Sequence, residues 1–480
     1  MKANSALSAV GAPRIRAALG STASVWSCVG VVGTMFNVLA YQSWQPLLVA
    51  ALLYGTAYLV LRCTPLGGTE ERRTFNACFA TAWCMAGVAA LYLHFMLDPV
   101  QLDDAEDFYV LASDPVASVL SISGLQALTS GAGAIVLWQQ FYDFFSWLGL
   151  GRGRYIGITV NSLAVALNGV VAVKITRELF GNDRRRMRRL TVLLATCGLY
   201  GLFASIHLRD ALVLLSITTL TYAWVRYLSR SGFGNALIVI AATILAAIVL
   251  PLLRTEFFFV PIAMTLAGIA AILIFDPVRT GRRGFIIAVV GIGIIVLAKL
   301  LIQYQDAIGF LLTSGQKNYA AMSAAESGAG SLGNAIIRAA PFPIRIVLGS
   351  IYLYVFPIPV WVGFQLKSAY HLFTSLTAIY FYVVVPRVIV AMSGILRNKD
   401  RRTPGTMFLV LLSVGFPLAV GATSLETRHF GAFLVSFQIL ASIPDFAVRE
   451  DLVAYRGWAR LFLAAIIAVH VAWAMLKFVG

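Results

Sequence analysis

Long apolar runs alternate with short polar breaks along the whole chain. Runs of about 20 apolar residues, enough to cross a roughly 30 Å hydrocarbon core as an α-helix, recur from one end to the other. They do not show the residue-by-residue alternation of barrel strands. A backbone in lipid must satisfy its hydrogen bonds within each segment, so the expected fold class is all-α. Crossings are predicted near 24–41, 44–62, 76–96, 156–179, 190–207, 210–228, 235–253, 257–275, 284–303, 368–394, 405–423, 430–446 and 458–478. This reads as one polytopic transmembrane domain over 1–480 with about 13 transmembrane helices. The first apolar run has no small-residue cleavage site before the next begins, so no secretory signal peptide is expected.

Composition agrees: 59% of the residues are hydrophobic and 12% charged, against roughly 25% charged in an average soluble domain. Lys and Arg (37) outnumber Asp and Glu (21), but their placement does not suggest nucleic acid. The bases gather in short connectors: Arg62, Arg72 and Arg73; Arg184, Arg185, Arg186, Arg188 and Arg189; Arg279, Arg282 and Arg283; Arg397, Lys399, Arg401 and Arg402. The positive-inside rule makes these cytoplasmic loops and starts the chain inside, near Lys2, Arg14 and Arg16. Parity then decides two segments. If 132–149 and 156–179 both crossed, the five-arginine cluster would lie outside. The segment 132–149 carries Gln139, Gln140 and Asp143 among Trp138, Phe141, Tyr142, Phe144, Phe145 and Trp147, the make-up of a helix lying in the interface. Residues 97–155 are therefore a first extracytoplasmic loop with interfacial helices. The second, 304–367, is polar and Gly/Ser/Ala-rich to 343 and then reaches YVFPIPVW, where Pro357 and Pro359 favour a re-entrant or interfacial segment over a crossing.

This threading puts QLDDAEDFYV (101–110), with Asp103, Asp104, Glu106 and Asp107, on the outer face. It also brings there Arg152 and Arg154, the triplet His207, Arg209 and Asp210, then Arg254 with Glu256, and Glu426 with Arg428 and His429. Ionisable groups at membrane depth are costly and either pair with one another or serve a site. Carboxylates supply general bases, and arginines grip phosphate through a fixed fork of donors. Such a face suits transfer of a sugar from a polyprenyl phosphate. The acceptor hydroxyl loses a proton as it attacks, and positive charge stabilises the leaving phosphate.

The order of features resembles the GT-C glycosyltransferases, multispan enzymes with an acidic motif in the first large outer loop and surface-lying helices after it. The resemblance is carried by Asp103-Asp104-Ala105-Glu106-Asp107-Phe108-Tyr109, by Arg154 with Asn161 and Asn168 entering a span, by LFGNDRRRMRR (179–189), and by HLRDALVLL (207–215). It covers about half of the chain as a pattern. Two apolar spans, where the family commonly has one, precede the span leading to the acidic loop, and no large soluble domain follows. ETRHFGAF (426–433) and the long loop ahead of YVFPIPVW are similar to the membrane polymerases and ligases of bacterial O-antigen and exopolysaccharide. The resemblance implies a glycosyltransferase of the bacterial inner membrane, its site facing the periplasm. The donor is then a polyprenyl-(di)phosphate-linked sugar, the acceptor a glycan or glycolipid, and the surroundings membrane lipids. It makes Asp103 or Asp104 the expected base, with Asp107 next; Asp210 is a second carboxylate or the partner of Arg209. The Asp103–Asp104 pair equally suits a divalent metal, Mg or Mn, through oxygen ligands. Arg152, Arg154, Arg209, Arg254, Arg338 and Arg428 are expected at the lipid phosphate, with His429 a donor to it or a base.

Other signals are weaker. Cys28, Cys63, Cys78, Cys84 and Cys197 fall in spans or near the cytoplasmic side, so no disulfide is expected in the outer loops. There is no CxxC, HExxH, P-loop or dinucleotide fingerprint. GVVG at 30–33 reads as close helix packing. The competing class is a secondary transporter or lipid-linked oligosaccharide flippase, which would place charged or broken helices near the midplane; Lys174 and Lys299 are the few charges well inside predicted spans.

Overall fold

A computed structural model describes residues 12–96, 103–114, 131–275, 341–365, 368–423 and 427–479. Among these there is no strand. Ten of the described helices are long and apolar enough to cross a membrane, so the protein is a multi-pass α-helical membrane protein. The described chain forms two compact units, Met1–Lys174 with Arg184–Leu215 and Leu366–Phe373, and Ile175–Asp183 with Ser216–Gln365 and Thr374–Gly480.

The first unit opens with α1 (Ala12–Tyr41), α2 (Gln45–Cys63) and α3 (Thr69–Leu91). Helices α1 and α3 pack closely because Gly33 and Gly87 carry no side chain: a Cβ at Gly33 would lie 2.6 Å from Cys84 Cα, and one at Gly87 2.7 Å from Phe36 Cβ. Small residues let backbones approach where lipid supplies no hydrophobic drive to associate. Buried Asn37 then donates to Gly33 O (2.9 Å) and to Trp83 O across the contact (3.1 Å). After α4 (Asp103–Ser113), α5 (Ala132–Trp147) and α6 (Tyr155–Phe180) comes α7 (Arg184–Ala195). Arg184 and Arg185 are exposed and Arg186, Arg188 and Arg189 half-buried, while Met187, Leu190, Leu193 and Leu194 are buried, and Thr191 meets Thr74 of α3 at 2.6 Å. The crossing expected at 190–207 is not one helix: α7 ends at Ala195, the backbone is extended at Cys197, and α8 (Gly198–Ser205) follows.

In the second unit, α9 (Asp210–Ser229), which begins in the first, leads to α10 (Phe233–Leu253) and α11 (Val260–Phe275). Then come α12 (Phe342–Val355), α13 (Ala369–Arg397), α14 (Pro404–Thr423), α15 (Thr427–Gly431), α16 (Leu434–Ala441) and α17 (Arg449–Val479). Buried Ser350 of α12 donates to Pro417 O of α14 at 3.1 Å. The segment expected to break at Pro357 and Pro359 does so: α12 stops at Val355 and a 3₁₀ turn resumes at Val360, whose N–H donates to His470 of α17 at 3.2 Å. The crossing expected at 430–446 consists of two short buried helices, α15 and α16. The predicted crossing 284–303, with Lys299, and the loop to residue 340 lie outside the described residues. Side chains such as Leu245, Ile248, Leu461 and Ile467 are more than half exposed. In water each would forfeit about 25 cal/mol per Å² of apolar surface; against lipid tails that loss vanishes.

Candidate functional site

The acidic stretch is a helix. Asp103 and Asp104 are its first two residues, where negative charge suits the helix dipole; their side chains lie outside those described. Ala105, Phe108 and Ala112 form a buried stripe at helical spacing. That stripe packs on α5, whose buried face carries Ile135, Trp138, Tyr142 and Phe145. Phe141, Phe144 and Trp147 lie on its less buried side, with Trp147 80% exposed. The aromatic string is thus two faces of one helix, one inward and one outward.

Two arginines after α5 fasten these helices. Arg152 pairs with Asp143 and donates to Ser113 O at 3.2 Å. Arg154 pairs with Glu106 and lies 4.5 Å over the Tyr109 ring, while the Tyr109 hydroxyl donates to Arg152 O at 3.2 Å. Asp107, the remaining described acid of the motif, is exposed.

The connector after α8 enters the same cluster from more than 40 residues away. Asn161 of α6, fully buried, donates to Ile206 O (3.1 Å) and Leu208 O (2.9 Å). Between them His207 meets the Tyr142 hydroxyl at 3.0 Å and sits 4.1 Å, centroid to centroid, from Trp138. Gly157 makes room, since a Cβ there would be 2.1 Å from His207 Nε2. Arg209 lies 4.9 Å over Phe108. Gly131 backs it at φ +116°, a conformation that glycine adopts without strain. Asp210, 2% exposed, opens α9.

Burial, reinforced by the Arg154 charge, holds the His207 imidazole down at about 3. Burial also raises the Tyr142 phenol well above its ordinary value, with Tyr109 adding and the Gly157 N–H partly opposing. Both rings are therefore neutral at physiological pH, and the same lowering leaves the His207 imidazole a weak proton acceptor. Its Nδ1 and the Trp138 Nε1 are buried without a hydrogen-bond partner among the described residues.

The second unit has its own cluster at helix ends. Arg254, extended between α10 and a 3₁₀ turn, is 6% exposed and hydrogen-bonds His429 Nε2 through Nη2. Its Nε stands 3.6 Å from Glu256, and its guanidinium 5.5 Å from the Phe257 ring. Arg428, beside His429 on α15, is 9% exposed. Phe433 stacks on Phe416 at 3.9 Å and contacts Phe257 at 5.6 Å.

The predicted residues thus fall into two groups: Asp103, Asp104, Asp107, Arg152, Arg154, Arg209 and Asp210 in the first unit, and Arg254, Arg428 and His429 in the second. Arg338 lies outside the described residues. Sequence reasoning placed Glu106 and His207 on the outer face without giving either a role, and did not single out Tyr109, Trp138, Tyr142 or Asp143 as site residues. Among the described residues no three His, Cys, Asp or Glu side chains are grouped to hold a metal ion.

Fold and clusters together define a multi-pass membrane protein with ionisable side chains gathered at helix ends. Compared with protein-family models, with curated proteins and with solved structures, the chain matches none.

Proposed function

We propose that the protein is a membrane glycosyltransferase or polysaccharide polymerase of the GT-C kind. It transfers a sugar or oligosaccharide from a polyprenyl-(di)phosphate-linked donor to a glycan or glycolipid acceptor. Its place in this reading is the bacterial inner membrane, with about 13 spans and the site facing the periplasm. One observation carries the reading: the acidic helix is packed against guanidinium groups from residues 48 and 101 positions away, Glu106 meeting Arg154 and Phe108 lying under Arg209. Proton-accepting and phosphate-gripping side chains side by side are what glycosyl transfer from a lipid phosphate needs. In this reading Asp103, Asp104 or exposed Asp107 takes the acceptor proton, or the first two hold a divalent cation, while Arg152, Arg154 and Arg209 face the phosphate.

The test is transfer of labelled sugar from a polyprenyl-linked donor by the protein in lipid vesicles. Asp103→Asn, Asp104→Asn and Asp107→Asn are each assayed, and full transfer by all three refutes the assignment. A carrier or flippase is favoured by one feature: Asn168, fully buried within α6, has neither amide atom hydrogen-bonded among the described residues. Movement of labelled lipid-linked sugar across the vesicle bilayer without transfer supports that second reading.

A further inference from the structure

We propose that the connector between α13 and α14, residues 397–403, binds the phosphate of an anionic phospholipid. Both flanking helices are long and apolar enough to cross a membrane. At 1.5 Å per residue the 20 residues of α14 span about 30 Å, the thickness of the hydrocarbon core, and the 29 of α13 about 44 Å. Pro404 therefore marks the hydrocarbon boundary, and the residues just before it lie among headgroups. A Cβ at Gly394 would stand 3.5 Å from Arg401 Nη1, so this guanidinium folds back alongside the last turn of α13, at the same depth.

Four cations, Arg397, Lys399, Arg401 and Arg402, share this short segment with one carboxylate, Asp400. All are exposed except Arg402, which is half-buried. Among the described residues none of these five side chains makes a hydrogen bond, ion pair or ring contact. Other basic connectors turn arginines onto the protein. Arg72 donates to Gly67 O at 3.1 Å, and Arg73 pairs with Glu70 at 2.9 Å. Arg226 donates to Asn235 at 3.1 Å, and Arg230 pairs with Glu178 at 2.8 Å. The Arg402 Nε, by contrast, is buried without a hydrogen-bond partner among the described residues. Its charge is reached only through the Nη ends, and these are left to meet an anion.

The backbone that carries these cations is held in one shape. Asn398 Oδ1 accepts the Asp400 N–H at 2.9 Å, and the N–H groups of Arg401 and Arg402 donate to Asn398 O and Lys399 O, both at 3.1 Å. The Thr406 hydroxyl donates to Arg401 O at 2.7 Å, and the Thr403 and Thr406 hydroxyls each accept the other's N–H. Little backbone freedom is then lost when a ligand arrives. A guanidinium grips phosphate through paired N–H donors, and a polybasic segment at the membrane surface gains affinity for anionic lipid with each cation. A lipid is the fitting source of that phosphate because the segment already lies in the headgroup layer. In the proposed topology this is the cytoplasmic leaflet.

The experiment titrates phosphatidylglycerol into the full chain in a neutral detergent and counts bound lipid by native mass spectrometry, with zwitterionic phosphatidylcholine as the control. Wild type is expected to hold phosphatidylglycerol about tenfold or more tighter than phosphatidylcholine. Arg397→Gln, Arg401→Gln and Arg402→Gln together are expected to weaken the tightest-held phosphatidylglycerol about a hundredfold, at about fivefold per cation. Asp400→Asn removes the one carboxylate of the segment at an exposed position. It is expected to tighten binding severalfold, and it tests the site even where the triple variant does not fold. Arg402→Lys keeps the charge but loses the paired donors, and is expected to weaken binding a few-fold. Equal affinity for the two lipids, a triple variant that holds phosphatidylglycerol as wild type does, or an Asp400→Asn variant with unchanged affinity overturns the proposal. Displacement of the lipid by millimolar inorganic phosphate would make this a site for soluble anions and overturns it too.

Discussion

Gly157→Ala tests whether the His207 contact is as tight as its geometry implies. Gly157 lies in the first turn of α6, and alanine is the better helix former by up to ~1 kcal/mol. On propensity alone the variant would be stabilised. The added Cβ, however, would stand 2.1 Å from His207 Nε2, 2.3 Å from its Cδ2 and 3.1 Å from the Tyr142 hydroxyl. His207 has little room to retreat: Trp138 sits 4.1 Å away, and Asn161 ties down the carbonyls on either side. Relief therefore breaks the Tyr142–His207 hydrogen bond, worth about 1 kcal/mol, and overpacks a filled site at about 1–3 kcal/mol. The net expectation is a loss of about 1–3 kcal/mol once the helix gain is subtracted. Gly55→Ala in α2 is the control, since nothing lies within 4 Å of the new Cβ; it is expected to be neutral or mildly stabilising. Thermal unfolding of the purified protein, followed by tryptophan fluorescence, ranks the two. Gly157→Ala melting at or above wild type while Gly55→Ala behaves as expected would refute the reasoning.

Asn161→Leu removes the donor to two buried carbonyls and is expected to cost about 2–4 kcal/mol, read as a lowered melting temperature. Sugar transfer, if the transferase reading is right, falls with it because Arg209 follows in the same connector. His207 held neutral down to about 3, against roughly 6.5 in an unfolded chain, means that the unfolded state binds the extra proton between those values. Stability is therefore expected to fall as pH drops through that window, by up to about 1.4 kcal/mol per unit; His207→Gln should flatten this acid limb, and an unchanged limb contradicts the assignment. Arg154→Lys keeps the charge facing Glu106 but loses the planar fork over Tyr109. It is expected to fold normally and to transfer sugar at least tenfold more slowly, measured at saturating donor. Reporter tags at residues 110 and 186 are expected to be read on opposite sides of the membrane; the same side for both overturns the topology.

Hydropathy locates apolar chain well but is blind to whether the helix through it is continuous. That is why the runs at 190–207 and 430–446 read like the others, although they fold as α7 with α8 and as α15 with α16. Leucine and phenylalanine keep the average high across a break. The local punctuation was there, in Cys197-Gly198 and Gly431-Ala432-Phe433, but glycine is common in membrane helices and does not end one by itself. Pro357 and Pro359 were more informative because a proline within a helix removes a donor and clashes with the preceding turn. The acidic motif shows the converse. Its charge drew attention to Asp103, Asp104 and Asp107, whereas the residues that dock it are apolar ones on the same helix, Ala105, Phe108 and Ala112.

The candidate site was legible as charges and not as a scaffold. Basic loops and the parity they impose gathered the acids, Arg152, Arg154 and the helix-end clusters onto one expected face, without saying which would touch. The partners that position them carry little signal of their own. Tyr109, Trp138 and Tyr142 look like any aromatic belt until Trp138, Tyr142 and Phe145 are seen to share the inward stripe of α5 while Trp147 points out. His207 stands beside Arg209 and Asp210 in the sequence, yet its environment is set by Tyr142, 65 residues earlier. A one-dimensional pattern cannot carry that distance. What remains readable from the chain alone is the cost argument: a histidine, several acids and several arginines sit in a protein whose bulk is lipid-soluble. Each had to find a neighbour, a ligand or water. The ion pairs Glu106–Arg154 and Asp143–Arg152 use two of the acids for structure. Any proton chemistry at this cluster is thereby moved onto the exposed side of α4, where Asp107 lies, and onto the first turn of that helix.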